Sequence, residues 1–240
     1  MVTGSRTSVT SPSTSFHKGS RARRTSVIRR RLLVWWASGG KRAFPWRHSR
    51  DPYAYYLAEM LLQRTRAENV APVYRELFAR APTVAALAGL PLRSLRALIR
   101  PLGLPARADL ISKAARSIVA DFGSRVPLDP QELISLPGVG PYTARAVPVF
   151  AVGARYALLD WTTARVIGRL FGLPARKRPN ADSHLRALAR QLLGRADPRK
   201  LNWALIDLAA TLCGVRPQCS ECPLHSHCEV GRRGLTRRLR

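Results

Sequence analysis

Four cysteines, Cys213, Cys219, Cys222 and Cys228, stand near the end of the chain with the spacing C-x5-C-x2-C-x5-C, and there are no others. Four thiolates in one loop can hold a tetrahedral zinc ion or a [4Fe–4S] cluster. Zinc ribbons pair two C-x2-C knuckles. One knuckle between single flanking cysteines is closer to a loop wrapped around a cube, and the clustering argues against a dispersed disulfide framework. His225 and His227 lie in the same loop and are read as facing solvent.

Two acids stand out because acids are scarce, 14 Asp and Glu against 41 Lys and Arg. Asp160 follows an apolar run in Tyr156-Ala157-Leu158-Leu159-Asp160-Trp161-Thr162-Thr163. It is either a helix N-cap or a carboxylate set in a low-dielectric cleft to oppose a developing positive charge. Glu59 sits among apolar residues in Tyr53-Ala54-Tyr55-Tyr56-Leu57-Ala58-Glu59-Met60-Leu61-Leu62-Gln63. It shares a helix face with Gln63 four residues on, and taken alone a solvated face is the better reading. A third feature is the string Leu136-Pro137-Gly138-Val139-Gly140-Pro141-Tyr142-Thr143-Ala144. Its glycines permit positive φ and close backbone approach, and the amides opening the next helix form an anion site. Gly138, Val139, Gly140 and Thr143 are candidate phosphate contacts.

These residues require a helical scaffold. The apolar residues of Val27–Gly40 recur at helical spacing and stop at Gly39-Gly40. Asp51-Pro52 is a cap followed by a first-turn proline, opening a helix to about Arg66. Further helices fit about 69–80, 83–89, 91–99, 106–122, 129–135, 142–152, 160–171, 181–194 and 198–212, punctuated by Gly or Pro. The expected fold class is all-α, with short connections and no internal repeat. Residues 1–25 are Ser/Thr-rich and basic and are expected to be a disordered tail. Residues 231–240 are expected to be a second basic tail.

The chain has 240 residues and a net charge of +27. Each tail carries five basic residues, which leaves the body 31 basic against 14 acidic residues, a net +17. A body so basic points to a polyanionic partner, nucleic acid before anionic lipid. No apolar run approaches the roughly 18 residues of a membrane span. Nor does the N-terminus have the apolar core of a secretory signal, so a cytoplasmic, nucleoid-associated protein is expected. The preference for Arg over Lys fits codon bias in a GC-rich, bacterial genome.

Taken together, these motifs resemble the helix–hairpin–helix DNA glycosylases with a C-terminal iron–sulfur loop: the endonuclease III group, the adenine mismatch glycosylases and, closest in pattern, the thymine–DNA mismatch glycosylases. The likeness runs from about residue 28 to 230. It includes Ala43-Phe44-Pro45-Trp46 before the Asp51-Pro52-Tyr53 helix, Gly123-Ser124-Arg125-Val126-Pro127 before the hairpin, and the placement of Asp160 eighteen residues beyond Tyr142. The resemblance implies two helical lobes with a DNA cleft between them. One is a six-helix domain at 51–152. The other joins 26–50 to 153–230 and carries a [4Fe–4S] cluster on the four cysteines.

By position, the resemblance makes Asp160 the catalytic carboxylate and Glu59 the acid that meets the expelled base. Tyr142 and Trp161 would line the substrate pocket. Gln63 would enter the space left by base flipping, and Leu104 would wedge from the opposite loop. Bifunctional relatives carry a Lys where this chain has Tyr142, so a monofunctional enzyme is expected, probing double-stranded DNA as a monomer. The chain departs from the pattern in three places. The first cysteine spacing is x5 rather than x6, the segment after Gly103-Leu104 is one residue short, and Trp161 replaces a smaller residue. Thymine or uracil opposite guanine is the expected target. Asp160 is followed by Trp161-Thr162-Thr163 rather than Gly-Asn-Val, and only 12 residues follow Cys228, which leaves no room for the second domain of adenine-specific relatives. Adenine opposite 8-oxoguanine is the alternative within the class, and a non-catalytic DNA-binding protein the alternative outside it.

Overall fold

The structure, a computed structural model, describes residues 15–103, 105–174 and 182–234. Among these residues there is no strand, and no helix is long and apolar enough to cross a membrane. Two apolar cores organise the helices. The first is built by α2 (Pro52–Leu62), α3 (Ala67–Arg80), α4 (Val84–Gly89), α5 (Leu92–Ile99), α6 (Ala106–Asp121), α7 (Pro130–Ser135) and α8 (Thr143–Val152). The described residues between 52 and 152 form these seven helices, the short α7 being opened by Asp129, whose side chain accepts from the Gln131 and Glu132 amides. The second core joins α1 (Ser15–Trp35) to α9 (Trp161–Phe171), α10 (Ser183–Leu193) and α11 (Pro198–Thr211). The ring of Trp203 on α11 packs against both cores and stacks on Phe150 of α8 at 5.1 Å.

Local chemistry sets the helix ends that matter for function. Asp51 caps α2, its carboxylate accepting from the Tyr53 amide at 2.9 Å. The helix stops at Leu62, four residues before the sequence suggested, because Gln63 turns extended at ψ 114 and Arg64 then enters the left-handed region at φ 57. The buried Arg107 of α6 holds that end. Its guanidinium donates to the carbonyls of Leu61 and Gln63, at 2.5 and 2.7 Å, and to the Thr65 hydroxyl at 3.0 Å. Carbonyls that a helix end would otherwise leave unpaired are thus satisfied from another helix. α1 ends at a turn through Gly39, whose φ of 135 suits glycine.

The N-terminal tail is shorter than its composition suggests. α1 begins at Ser15, so residues 15–25 are helical, while residues 1–14 lie outside the described residues. Tertiary partners override the polar composition here. Arg24 donates to the carbonyls of Leu170 and His227 at 3.0 and 2.9 Å and pairs with Glu229 at 2.9 Å. At the other end, Gly231 and Arg232 belong to the short helix α12 (Glu229–Arg232), and residues 235–240 lie outside the described residues. Arg24→Ala is expected to cost about 1–2 kcal/mol, since it removes three contacts from a partly exposed group. That corresponds to a melting point lower by about 2–8 °C. An unchanged thermal melt would return residues 15–25 to the tail.

Candidate active site in the cleft between the lobes

A cleft of about 980 Å³ separates the two cores. Glu59, Gln63, Arg64, Tyr142 and Thr143 wall it on one side, and Asp160, Thr162, Arg165 and Trp203 on the other. The hairpin and the Asp160 turn, 18 residues apart in sequence, therefore open onto the same space.

Both readings of Asp160 hold at once. It is the N-cap of α9 within a capping box. Its Oδ1 accepts from the amides of Thr162 and Thr163, at 3.1 and 2.7 Å, and from the Thr163 hydroxyl at 2.6 Å. The Thr162 hydroxyl lies 2.9 Å from each carboxylate oxygen. Oδ1 is thus fixed by the helix, whereas Oδ2 meets only one hydroxyl and keeps capacity to face another group. The approach to Asp160 is held as well. The buried Asn202 of α11 accepts from the Leu158 amide at 2.9 Å and donates to the Tyr156 carbonyl at 3.0 Å.

Glu59 is not on a solvated face. It is 8% exposed, and burial, reinforced by the charge of Asp160 and only partly offset by Arg47, pushes its pKa up to about 8. A carboxyl in that position holds its proton near neutrality. Tyr142, the residue before α8, is likewise raised well above an ordinary phenol by burial and by the two acids, so it stays neutral. In mid-helix a wet stripe and a polar pocket look alike in sequence. Glu59 is inward because α2 is buried almost all round, from Tyr53 through Leu61.

The hairpin candidates divide. Gly138, at φ 79, has the left-handed backbone that suits glycine, and a Cβ there would press on Leu110 and Met60 at 3.0 Å each. Val139 is 7% exposed and its amide is used within the turn, donating to Leu136. It is a peg in the core. Among the described residues, none accepts from the amides of Gly140 and Thr143, which leaves them free at the start of α8. Gln63 lines the cleft and is held within the protein. Its amide donates to the Gly138 carbonyl at 2.9 Å and so ties the end of α2 to the hairpin. The next residue, Arg64, lines the cleft in the left-handed conformation. Leu104 lies outside the described residues. Trp161 is corrected too: it is 61% exposed and does not line the cleft.

Sequence reasoning missed the buried pair Arg47–Asp207. The guanidinium grips both carboxylate oxygens, at 2.7 and 2.8 Å, and Asp207 also accepts from the indole of Trp36 at 2.8 Å. The Arg47 guanidinium lies over the rings of Phe44 and Trp203, 5.3 and 5.5 Å from their centroids. It lines the cleft, and its charge lowers the pKa of Glu59. The available signal was a lone acid, Asp207, on the apolar helix α11.

All four cysteines border one small apolar pocket beside Leu170, Leu208 and Leu224. Burial raises the thiols of Cys219, Cys222 and Cys228, Cys222 to about 11, and the Arg169 guanidinium donates to the Cys213 sulfur at 3.4 Å. A metal group bound at this pocket would have to displace the protons of these thiols. Among the described residues, no three His, Cys, Asp or Glu side chains stand together as a ready single-ion site.

A two-core helical fold with a hairpin and an acid facing one cleft defines a class. Residues 57–198 match the HhH-GPD superfamily of base excision DNA repair proteins, and the chain belongs to that family. It is 38% identical to a thymine-DNA glycosylase of Aeropyrum pernix, over 85% of this chain and 94% of that one. It is also 33% identical to the adenine DNA glycosylase of Rattus norvegicus, over 92% of this chain and 45% of the rat protein. The solved structure of a thermostable thymine-DNA glycosylase superposes with a TM-score of 0.81 at 32% identity, covering 88% of this chain and 98% of that chain.

The raised pKa of Glu59 has a readable consequence. A carboxyl favoured in its protonated form supports the fold below its unfolded value of 4.5, and that support is lost as pH rises towards about 8. Glu59→Gln imitates the protonated form. The two proteins should melt alike below pH 4.5, and the native protein should then fall behind by up to about 1.4 kcal/mol per pH unit until the gap levels off. Parallel stability curves across this range would place Glu59 in water.

Proposed function

We propose that this protein hydrolyses the N-glycosidic bond of thymine or uracil mispaired with guanine in double-stranded DNA, leaving an abasic site. The observation that carries the reading is the meeting of Asp160 and Glu59 in one cleft, in a chain so similar to a thymine-DNA glycosylase along almost its whole length. The amides of Gly140 and Thr143 bind backbone phosphate, and Arg64 rather than Gln63 enters the gap left by the extruded nucleotide. The protein acts as a monomer on nucleoid DNA.

In the cleft the bond from C1′ to the base nitrogen breaks, and its electron pair leaves with the base. Positive charge grows on the sugar. The Asp160 carboxylate stabilises it through Oδ2, while Oδ1 stays anchored by the helix amides. Water adds to C1′ and gives a proton to Asp160 or to solvent. Glu59 supports the departing base. Protonated near neutrality, it donates a hydrogen bond to a pyrimidine carbonyl and stabilises the negative charge that collects there. Tyr142 contributes shape and a neutral hydroxyl. It offers no amine, so no Schiff base forms and the strand is left uncut.

Cys213, Cys219, Cys222 and Cys228 would hold a [4Fe–4S] cluster. The cluster would order the loop from Cys213 to Cys228 and take no part in the hydrolysis. Purified protein should be brown and contain iron and acid-labile sulfide, whereas stoichiometric zinc without sulfide would replace the cluster by a zinc site.

One observation favours a second reading, adenine removal: a carboxyl with a pKa near 8 can protonate a purine ring as well as serve a carbonyl. Single-turnover excision on duplexes differing only in the mispair separates the two. T/G and U/G should be cleaved faster than A opposite 8-oxoguanine, and the reverse order would reassign the substrate. Asp160→Asn should slow excision by at least about a hundredfold with duplex affinity nearly unchanged, because Asn preserves shape and capping but not charge. Joint loss of affinity and helicity would leave Asp160 a cap alone. Borohydride should trap no covalent complex between native protein and DNA. Efficient trapping would make the enzyme bifunctional.

A further inference from the structure

Trp161 is the largest exposed apolar side chain in the described structure, and it stands next to the acid of the cleft. Tryptophan seldom presents so much of its ring to water. Its backbone is not loose. The capping box of Asp160, Thr162 and Thr163 fixes the first turn of α9, so the indole projects from a rigid base. Trp161, Arg165 and Arg169 follow one another at i, i+4 and i+8 along α9. Both arginines turn their guanidinium groups to carbonyls of the 213–215 segment, which leaves the indole as the free end of this row.

We propose that Trp161 stacks on the nucleobase next to the extruded nucleotide, on the same strand, and so holds the sugar opposite Asp160. The inference rests on the glycosylase reading above. Trp161 adjoins Asp160 at the start of α9, so a base beside the nucleotide whose sugar meets Asp160 is the one within reach of its exposed ring. Extrusion strips that neighbouring base of one stacking partner, and an indole supplies a replacement face without reading sequence. The pocket role is closed to Trp161 because the ring does not border the cleft.

The test uses full-length protein and a U/G duplex with 2-aminopurine 5′ or 3′ of the target, the target sugar carrying a 2′-fluoro group that resists cleavage. Native protein should change the probe's emission at one of the two positions. Trp161→Ala should abolish that change and slow single-turnover excision of the unmodified U/G duplex by roughly ten- to a hundredfold, the range expected for one stacked base. Trp161→Phe should restore most of both, and all three proteins should melt within about 2 °C of one another. Affinity for fully paired duplex should differ by less than about twofold. An alanine variant equal to native protein in emission and rate would overturn the proposal, as would an equal loss on fully paired duplex. Native protein that excised neither pyrimidine nor adenine would overturn the glycosylase reading instead, and this inference with it. Native excision matched by the alanine variant would leave the glycosylase reading standing.

Discussion

Arg47 and Asp207 form the joint on which the cleft depends. A buried carboxylate with no exposure at all is costly unless its charge is matched and its lone pairs are filled. Here two guanidinium bonds, the Trp36 indole and the Arg42 amide fill them. Each donor comes from a different stretch: the end of α1, the strap after it, and the Phe44-Pro45-Trp46-Arg47 turn. Asp207 itself lies on α11. One ion pair therefore fixes the N-terminal segment against the C-terminal helices, and Phe44 and Trp203 enclose its cation. The position of one lobe against the other follows from this pair and from the packing of Trp203 on both cores.

The same cation sets the electrostatics of the cleft. Glu59 and Asp160 repel each other, and two carboxylates in an apolar cleft cannot share a charged state cheaply. Arg47 relieves part of that repulsion but is already committed to Asp207. The result is asymmetric. Asp160 is anchored by helix amides and threonine hydroxyls, while burial and the charge of Asp160 keep the proton on Glu59 to about pH 8. Burial thus leaves Glu59 a proton to donate in the proposed departure of the base, while the anchored Asp160 faces the sugar.

Rigidity around the site comes from polar side chains spent on backbone. Arg107 closes the end of α2, Asn202 holds the run into Asp160, and Gln63 links α2 to the hairpin carbonyl. None of these touches the space a nucleotide would fill except Gln63, yet each fixes a residue that does. The end of α2, the hairpin and the Asp160 turn are therefore held from neighbouring helices, which suits chemistry that depends on placement within fractions of an ångström.

Much of this was legible in the residues alone. Helical spacing, the Asp51-Pro52 start, the two hairpin glycines and the clustered cysteines depend on neighbours within a few positions, so sequence carries them directly. The all-helical class and most helix limits follow to within a residue or two. Asp160 was legible as a cap for the same reason. Contacts between distant segments were not. Glu59 looked solvated because its helix is buried by partners far along the chain. Gln63 was read as a probe of DNA because nothing local shows its bond to Gly138, 75 residues away. The polar start of α1 was read as a tail because the carbonyls that hold Arg24 belong to residues 170 and 227. Trp161 was placed in the pocket because adjacency in sequence does not fix which way a first-turn side chain points. Local periodicity and capping determined the elements. Only tertiary packing decided which polar groups lost their water, and with it the charge each one carries.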